Sequence, residues 1–230
     1  MTDVYQPFQE VLESQMSPLL QEDSDYEYYA TPLKPAKAIK QAHANQLKEF
    51  IKFKEIHTQL DKAAELIPQL ISDSTVKNEL DQSGKNFFQS IEEEKEASLQ
   101  EMFGLSDETL IQIYAKSVEL IENKNFEEAF TLLVFLTTLA PHVPSYWIAE
   151  GVCLQNLTRH AEAIEVFNVV KLLGASHLES FTYAIESHLA LKNKDGAKQA
   201  LEEFKEALNS YEGEDKRKWE NSMSYYGGVL

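Results

Sequence analysis

Apolar and polar residues follow helical spacing along most of this chain, and the pattern changes character after about residue 104. Between residues 36 and 71 the seam positions fall three or four apart. They hold Ile39, His43, Gln46, Phe50, Phe53, His57, Leu60, Ala64, Ile67 and Ile71. Most are apolar, which predicts one long helix with a coiled-coil or bundle seam. Pro68 is expected to kink or end it near Leu66–Ile67, and a break follows at Ser72-Asp73-Ser74. A second helix is predicted over about 75–101, through Val76, Leu80, Phe87, Ile91 and Leu99, weakened by Gly84. Glu92, Glu93, Glu94 and Glu96 read as its solvated face. The two helices can bury one seam as a hairpin. Alternatively the long helix meets its copy in a second chain, which makes Ile39, Phe50, Phe53 and Leu60 candidates for self-association and the chain a possible homodimer.

From Leu110 to Tyr211 one pattern occurs three times. Ala129, Ala163 and Ala197 are 34 apart, as are Leu133, Phe167 and Leu201, and Ile113, Trp147 and Phe181. That period belongs to the tetratricopeptide repeat, a helix-turn-helix unit. Repeat two is clearest, with Trp147, Gly151, Leu154, Ala163 and Phe167 at positions 4, 8, 11, 20 and 24. Small residues at 8 and 20 let two helices approach, and aromatics at 4 and 24 fill the space beside them. One unit cannot bury its apolar face alone, so three stack into a short curved solenoid. Ser106 is a good N-cap, with Asp107 and Glu108 behind it. Helices are expected at about 107–122, 126–139, 178–191 and 195–210, with Pro144 opening repeat two and Gly174 closing it. Repeat three departs at Ile185 and Asn209, as a terminal repeat commonly does.

The reading is therefore all-α, in four parts. Residues 1–35 form an acidic, largely disordered tail interrupted by Pro7, Pro18, Pro32 and Pro35 and carrying Tyr26, Tyr28 and Tyr29. A helical region covers 36–104. Three repeats cover 105–211, at about 110–143, 144–177 and 178–211. Residues 212–230 supply a capping helix around Trp219 and an end, Tyr225-Tyr226-Gly227-Gly228, that is expected to fray.

Charge narrows the range of partners. The formal net charge is −17 over 230 residues, which disfavours nucleic acid and anionic membrane surfaces and favours solubility. No apolar run is long enough to insert in a membrane, and no signal peptide is read at the start. A single cysteine, Cys153, fits a reducing cytoplasm.

Candidate chemistry is sparse. His43 and His57 share a helix face but lie roughly 21 Å apart at helical rise, too far to share a metal. His142, His160, His177 and His188 fall at junctions or packing positions, and Cys153 reads as a small packed residue. The expectation is a protein without catalytic residues, metal or cofactor. Asn156-Leu157-Thr158 fits a glycosylation triplet by chance.

The surface that can carry function is the concave one. In tetratricopeptide stacks, positions 2, 5, 9 and 12 of each first helix point inward. Repeat one offers Ile111, Tyr114, Val118 and Ile121; repeat two Ser145, Ile148, Val152 and Gln155; repeat three Glu179, Thr182, Glu186 and Leu189. The groove is thus apolar at one end and acidic at the other. Each first helix already carries another apolar stripe toward its partner helix, so the second stripe needs a separate cover. That cover is either a foreign peptide or the chain's own N-terminal segment. A clamp for a carboxylate tail is excluded, because it needs basic residues where Tyr114, Val118, Ser145 and Glu179 stand.

Gly104-Leu105-Ser106-Asp107-Glu108-Thr109-Leu110, Ile113-Tyr114 and Phe126-Glu127-Glu128-Ala129 resemble the start of the repeat domain in class II type III secretion chaperones. The likeness continues through Gly151-Val152-Cys153 and Ala161-Glu162-Ala163-Ile164 and covers roughly 100–211. The resemblance implies a bacterial cytoplasmic chaperone that binds hydrophobic translocator or effector proteins. It implies a proline-leucine-proline segment held in the groove by Tyr114, Val118, Ile121, Ile148 and Val152. The hundred or so residues before the repeats exceed the family's usual few dozen and suggest a chlamydial-type relative. The alternative reading is a repeat scaffold or regulatory adaptor with a stable protein partner.

The completeness of the repeat pattern generates a first prediction. A fragment from Glu101 onward should keep a cooperative helical melt by circular dichroism. A fragment without helical signal at 20 °C would show that the preceding helices belong to the same core.

Overall fold

The computed structural model describes residues 53–93, 97–174 and 177–230, and every element among them is helical. Ile39, Phe50 and the acidic tail lie outside these residues, as does the side chain of Phe53; Leu60 is half-buried. The chain divides into two compact units, 1–110 and 111–230.

In the first unit α1 (Phe53–Leu70) and α2 (Ser74–Glu92) form a hairpin. Asp73 Oδ1 accepts from the amides of Thr75 at 2.8 Å and Val76 at 3.1 Å, which caps α2. Ala63, Ile67, Ile71, Val76 and Phe87 are buried. Pro68 does not stop α1 at Leu66–Ile67. It lies in the last turn, where its missing N–H costs one bond, and Ile71 still donates to Ile67 O at 2.9 Å.

The predicted helix over 75–101 is two helices. α2 ends at Glu92, and a short α3 (Leu99–Phe103) starts afresh. Ser98 and Glu101 form a reciprocal capping box: Ser98 Oγ accepts from Glu101 N at 3.2 Å, and Glu101 Oε2 accepts from Ser98 N at 2.7 Å. Gly104, at φ +67°, closes α3 in the left-handed region. Phe103 stacks on Phe87 of α2, centroids 4.6 Å apart. Ser106 Oγ then accepts from Thr109 N, the expected cap.

The repeats follow their period closely. α4 (Asp107–Glu122) and α5 (Phe126–Leu139) make repeat one; α6 (Pro144–Asn156) and α7 (His160–Leu173) make repeat two; α8 (Glu179–Ala190) and α9 (Lys194–Asn209) make repeat three. The three turns inside the repeats are alike. Lys124, Thr158 and Lys192, 34 apart, take φ of 63°, 63° and 57°. In each turn the next residue donates back across the helix end: Asn125 to Leu120 O, Arg159 to Leu154 O, Asn193 to His188 O. This is a Schellman closure, made here by residues that carry side chains.

Packing explains the period. Ala129, Ala163 and Ala197 are fully buried, and so are Ile113, Leu133 and Phe167. A Cβ on Gly151 would stand 2.3 Å from Phe167 Cε1. Position 8 must therefore be empty where position 24 is aromatic. Repeat three trades the volumes: Ile185 stands at position 8 and the smaller Leu201 at position 24, both in one core cluster. Repeat two is tied to its neighbours on both sides. Trp147 Nε1 donates to Pro141 O at 2.8 Å, and Lys171 Nζ meets Glu203 at 2.9 Å.

The C-terminus is ordered helix. α10 (Lys216–Val229) runs through Tyr225-Tyr226-Gly227-Gly228, the stretch expected to fray. Two helical glycines cost about 1 kcal/mol each against alanine. Burial of Trp219 against Phe204 and of Tyr226 offsets that cost, since each large buried side chain contributes about 2 kcal/mol.

Gly151→Ala should destabilise the protein by ~2 kcal/mol through overpacking. In a Phe167→Leu background the same change should cost less. Denaturant melts of the four-variant cycle measure this coupling; additive costs would show that the ring is not the obstacle.

Candidate peptide-binding groove

The first helices of the repeats carry the residues of the expected concave stripe. Ile111 is 56% exposed. Tyr114, Val118, Ile121, Ser145, Ile148 and Val152 are half-buried. These side chains pack on one flank and remain open on the other. The Tyr114 ring lies against Tyr146, centroids 5.0 Å apart at 46°. Tyr146 itself is buried, so repeat two fixes the orientation of Tyr114.

The polar positions are more committed than the sequence suggests. Gln155 Nε2 donates to Tyr183 O and to Ser187 Oγ, both at 2.9 Å. It ties α6 to α8. Thr182 is buried and donates to Glu179 O. Glu179 Oε1 stands 3.7 Å from His177 Nδ1. Glu186 is exposed yet accepts from the Tyr226 hydroxyl of α10 at 2.6 Å. The acidic end of the stripe therefore adjoins the C-terminal helix.

Glu150 is a residue that sequence reasoning passed over. It sits on α6 between Ile148 and Val152 but is only 2% exposed. Its Oε2 is 2.9 Å from Thr137 Oγ1 of α5. Burial pushes its carboxyl up to about 8, against smaller opposing effects of the Thr137 bond and the Arg159 charge. A neutral carboxyl also suits the local hydrogen bonding. Thr137 has one proton, with Leu133 O at 3.0 Å and Val134 O at 3.2 Å within reach. A protonated Glu150 can donate to Thr137 while Thr137 donates to a helix carbonyl. The signal available in the sequence was a glutamate at position 7, a helix-interface position.

Cys153 is fully buried, and burial together with the nearby Glu150 pushes its thiol up to about 12. A thiol held protonated is a poor nucleophile. Among the described residues, no three His, Cys, Asp or Glu side chains are grouped to hold a metal ion, and no helix is long and apolar enough to cross a membrane. What this surface can do is bury an extended apolar segment across α4 and α6.

No family model matches this chain, and no curated protein matches it in sequence. Solved structures do match in fold. The Yersinia enterocolitica type III secretion translocator chaperone SycD aligns with 58% of this chain and 99% of its own, at 17% identity and a TM-score of 0.53. A type III secretion complex from Aeromonas hydrophila aligns over 62% of this chain and 91% of its own, at 17% identity and 0.52. The CopN-Scc3 complex aligns over 56% and 74%, at 18% and 0.51. The described residues thus have a helical repeat fold like that of the SycD chaperone.

Glu150 makes stability depend on pH. Its folded pKa lies above the ordinary carboxylate value, so the native state keeps a proton that the unfolded chain has lost. Its contribution is full below about pH 4.5 and falls as pH rises toward 8, by up to ~1.4 kcal/mol per pH unit. Glu150→Gln should remove this slope, raising stability more at pH 8.5 than at pH 5 in denaturant melts. Equal effects at both pH values would mean the carboxyl is ionised in the fold.

Proposed function

We propose that this chain is a type III secretion chaperone. It binds an extended apolar segment of a hydrophobic translocator in the concave groove, keeps the client soluble in the bacterial cytoplasm, and passes it to the export machinery. The observation that carries this reading is the half-exposed apolar stripe of Tyr114, Val118, Ile121, Ile148 and Val152 on successive first helices. Apolar side chains at these positions gain from a ligand that removes their open flank from water, about 25 cal/mol per Å². The fold shared with SycD supports the same reading, as does the run Gly104–Leu110 that leads into the repeats.

Binding of this kind needs no covalent step. The groove supplies apolar area, and the extended client can satisfy its backbone with water or with side chains such as the Tyr114 hydroxyl. The chain's formal charge of −17 repels other copies and helps keep a complex with an aggregation-prone client dispersed.

Tyr114→Ala should weaken binding of a peptide with a proline-leucine-proline core by ~2 kcal/mol, roughly thirtyfold. Val152→Asp should weaken it further by setting an unpaired charge against an apolar ligand. Calorimetric titration of each variant, with its melting curve checked against wild type, measures both. Wild-type affinity in both folded variants would remove the concave face as the client site.

A further inference from the structure

The groove changes chemistry along its length, and its far end is completed by the C-terminal helix, whose Tyr225–Gly228 stretch was expected to fray. α10 brings Tyr225 and Tyr226 to the Glu186 end of α8. Tyr226 is buried and its hydroxyl donates to Glu186, while Tyr225 is 66% exposed, with its ring 5.2 Å from that of Tyr226. Tyr183 of α8 belongs to the same cluster. Burial raises its hydroxyl pKa, and the charges of Glu186 and Glu179 raise it further. Among the described residues no lysine or arginine pairs with Glu186.

We infer that the groove binds its partner in one polarity, taking a polypeptide segment whose apolar residues lie over repeats one and two and whose lysine or arginine lies over Glu186 and Tyr225. This rests on the groove being the client site. Charge complementarity selects the occupant. An apolar segment alone would leave Glu186 facing it without a counter-charge, and an acidic flank would be repelled by Glu186, Glu179 and the net charge of −17. A cation there meets a carboxylate and an exposed tyrosine face at once, and the two attractions act on the same group. The Tyr226 hydroxyl holds Glu186 in place, so less side-chain freedom is lost when the cation arrives.

The register follows from helix spacing. Neighbouring first helices lie about 10 Å apart, and an extended chain advances about 3.3 Å per residue. One repeat therefore corresponds to about three residues of ligand. The basic residue should stand about three residues beyond the side chain that sits on Ile148 and Val152, and about six beyond the one on Tyr114.

The test uses the full chain and two synthetic peptides that share an apolar proline-leucine core. One carries two lysines about three residues beyond the core; the other carries two glutamates there. Fluorescence anisotropy at low salt should show the lysine peptide binding about tenfold tighter, with the preference shrinking at high salt. Glu186→Gln keeps an acceptor for Tyr226, and Tyr225→Ala changes an exposed ring, so both should fold. Each should reduce the preference toward unity while leaving the affinity of the glutamate peptide equal or higher. Equal binding of both peptides to the wild type, with Tyr114→Ala weakening both, would overturn the polarity and leave the groove reading intact. If neither peptide binds, the groove reading fails and the polarity falls with it.

Discussion

The contact between Gly151 and the Phe167 ring sets the geometry of this protein. Only a missing Cβ lets α6 and α7 come close enough for an aromatic ring to fill their interface. The same volume balance recurs as Ser117 with Leu133 and as Ile185 with Leu201, all well buried. A helix pair fixed in this way presents its apolar stripe to the next pair, and stacking follows because a single pair leaves that stripe in water. The turns at Lys124, Thr158 and Lys192 close each pair with the same left-handed backbone and the same hydrogen bonds.

That packing uses one side of each first helix and leaves another. Ile113, Trp147 and Phe181 point into the repeats, whereas Tyr114, Ile148 and Val152 keep an open flank. The open flank is a cost in the free protein, since apolar area faces water. In the proposed function it is also the source of binding energy. Gln155, reaching from α6 to α8, holds neighbouring first helices together at the polar end of the stripe. On the proposed function the groove is thereby preorganised, and little affinity is lost to ordering it.

Much of this was legible in the sequence because the repeat period fixes register. The spacing of 34 places core positions such as Ala129, Ala163 and Ala197, whereas the start of α4, the proline opening α6 and the glycine after α7 are read from the local cap signals of Ser106, Pro144 and Gly174. The break before Ser98 was not legible as a break, because the acidic run preceding it continues the helical pattern; Ser98 and Glu101 nevertheless spelled a capping box. The order of Tyr225–Gly228 could not be read locally. Two glycines argue against helix, and only the distant Glu186 and the core beneath Tyr226 outweigh them. Register placed Tyr114, Val118, Ile121, Ile148 and Val152 on the first helices, where they are half-buried, but the partner of Gln155 lies 28 residues away. Glu150 was not singled out in the sequence, because its partner Thr137 lies 13 residues away on α5.

The buried carboxyl of Glu150 alters the proton inventory of the whole chain. The formal charge of −17 assumes that every carboxylate is ionised at pH 7. With Glu150 titrating near 8, the folded protein holds close to one extra proton at neutrality, and its net charge is nearer −16. Unfolding must then release that proton into the solvent. Buffer molecules take it up, so the heat of unfolding at pH 7 contains the buffer's own enthalpy of protonation. Phosphate and Tris, which differ in that enthalpy, will therefore return different calorimetric heats for the same molecule.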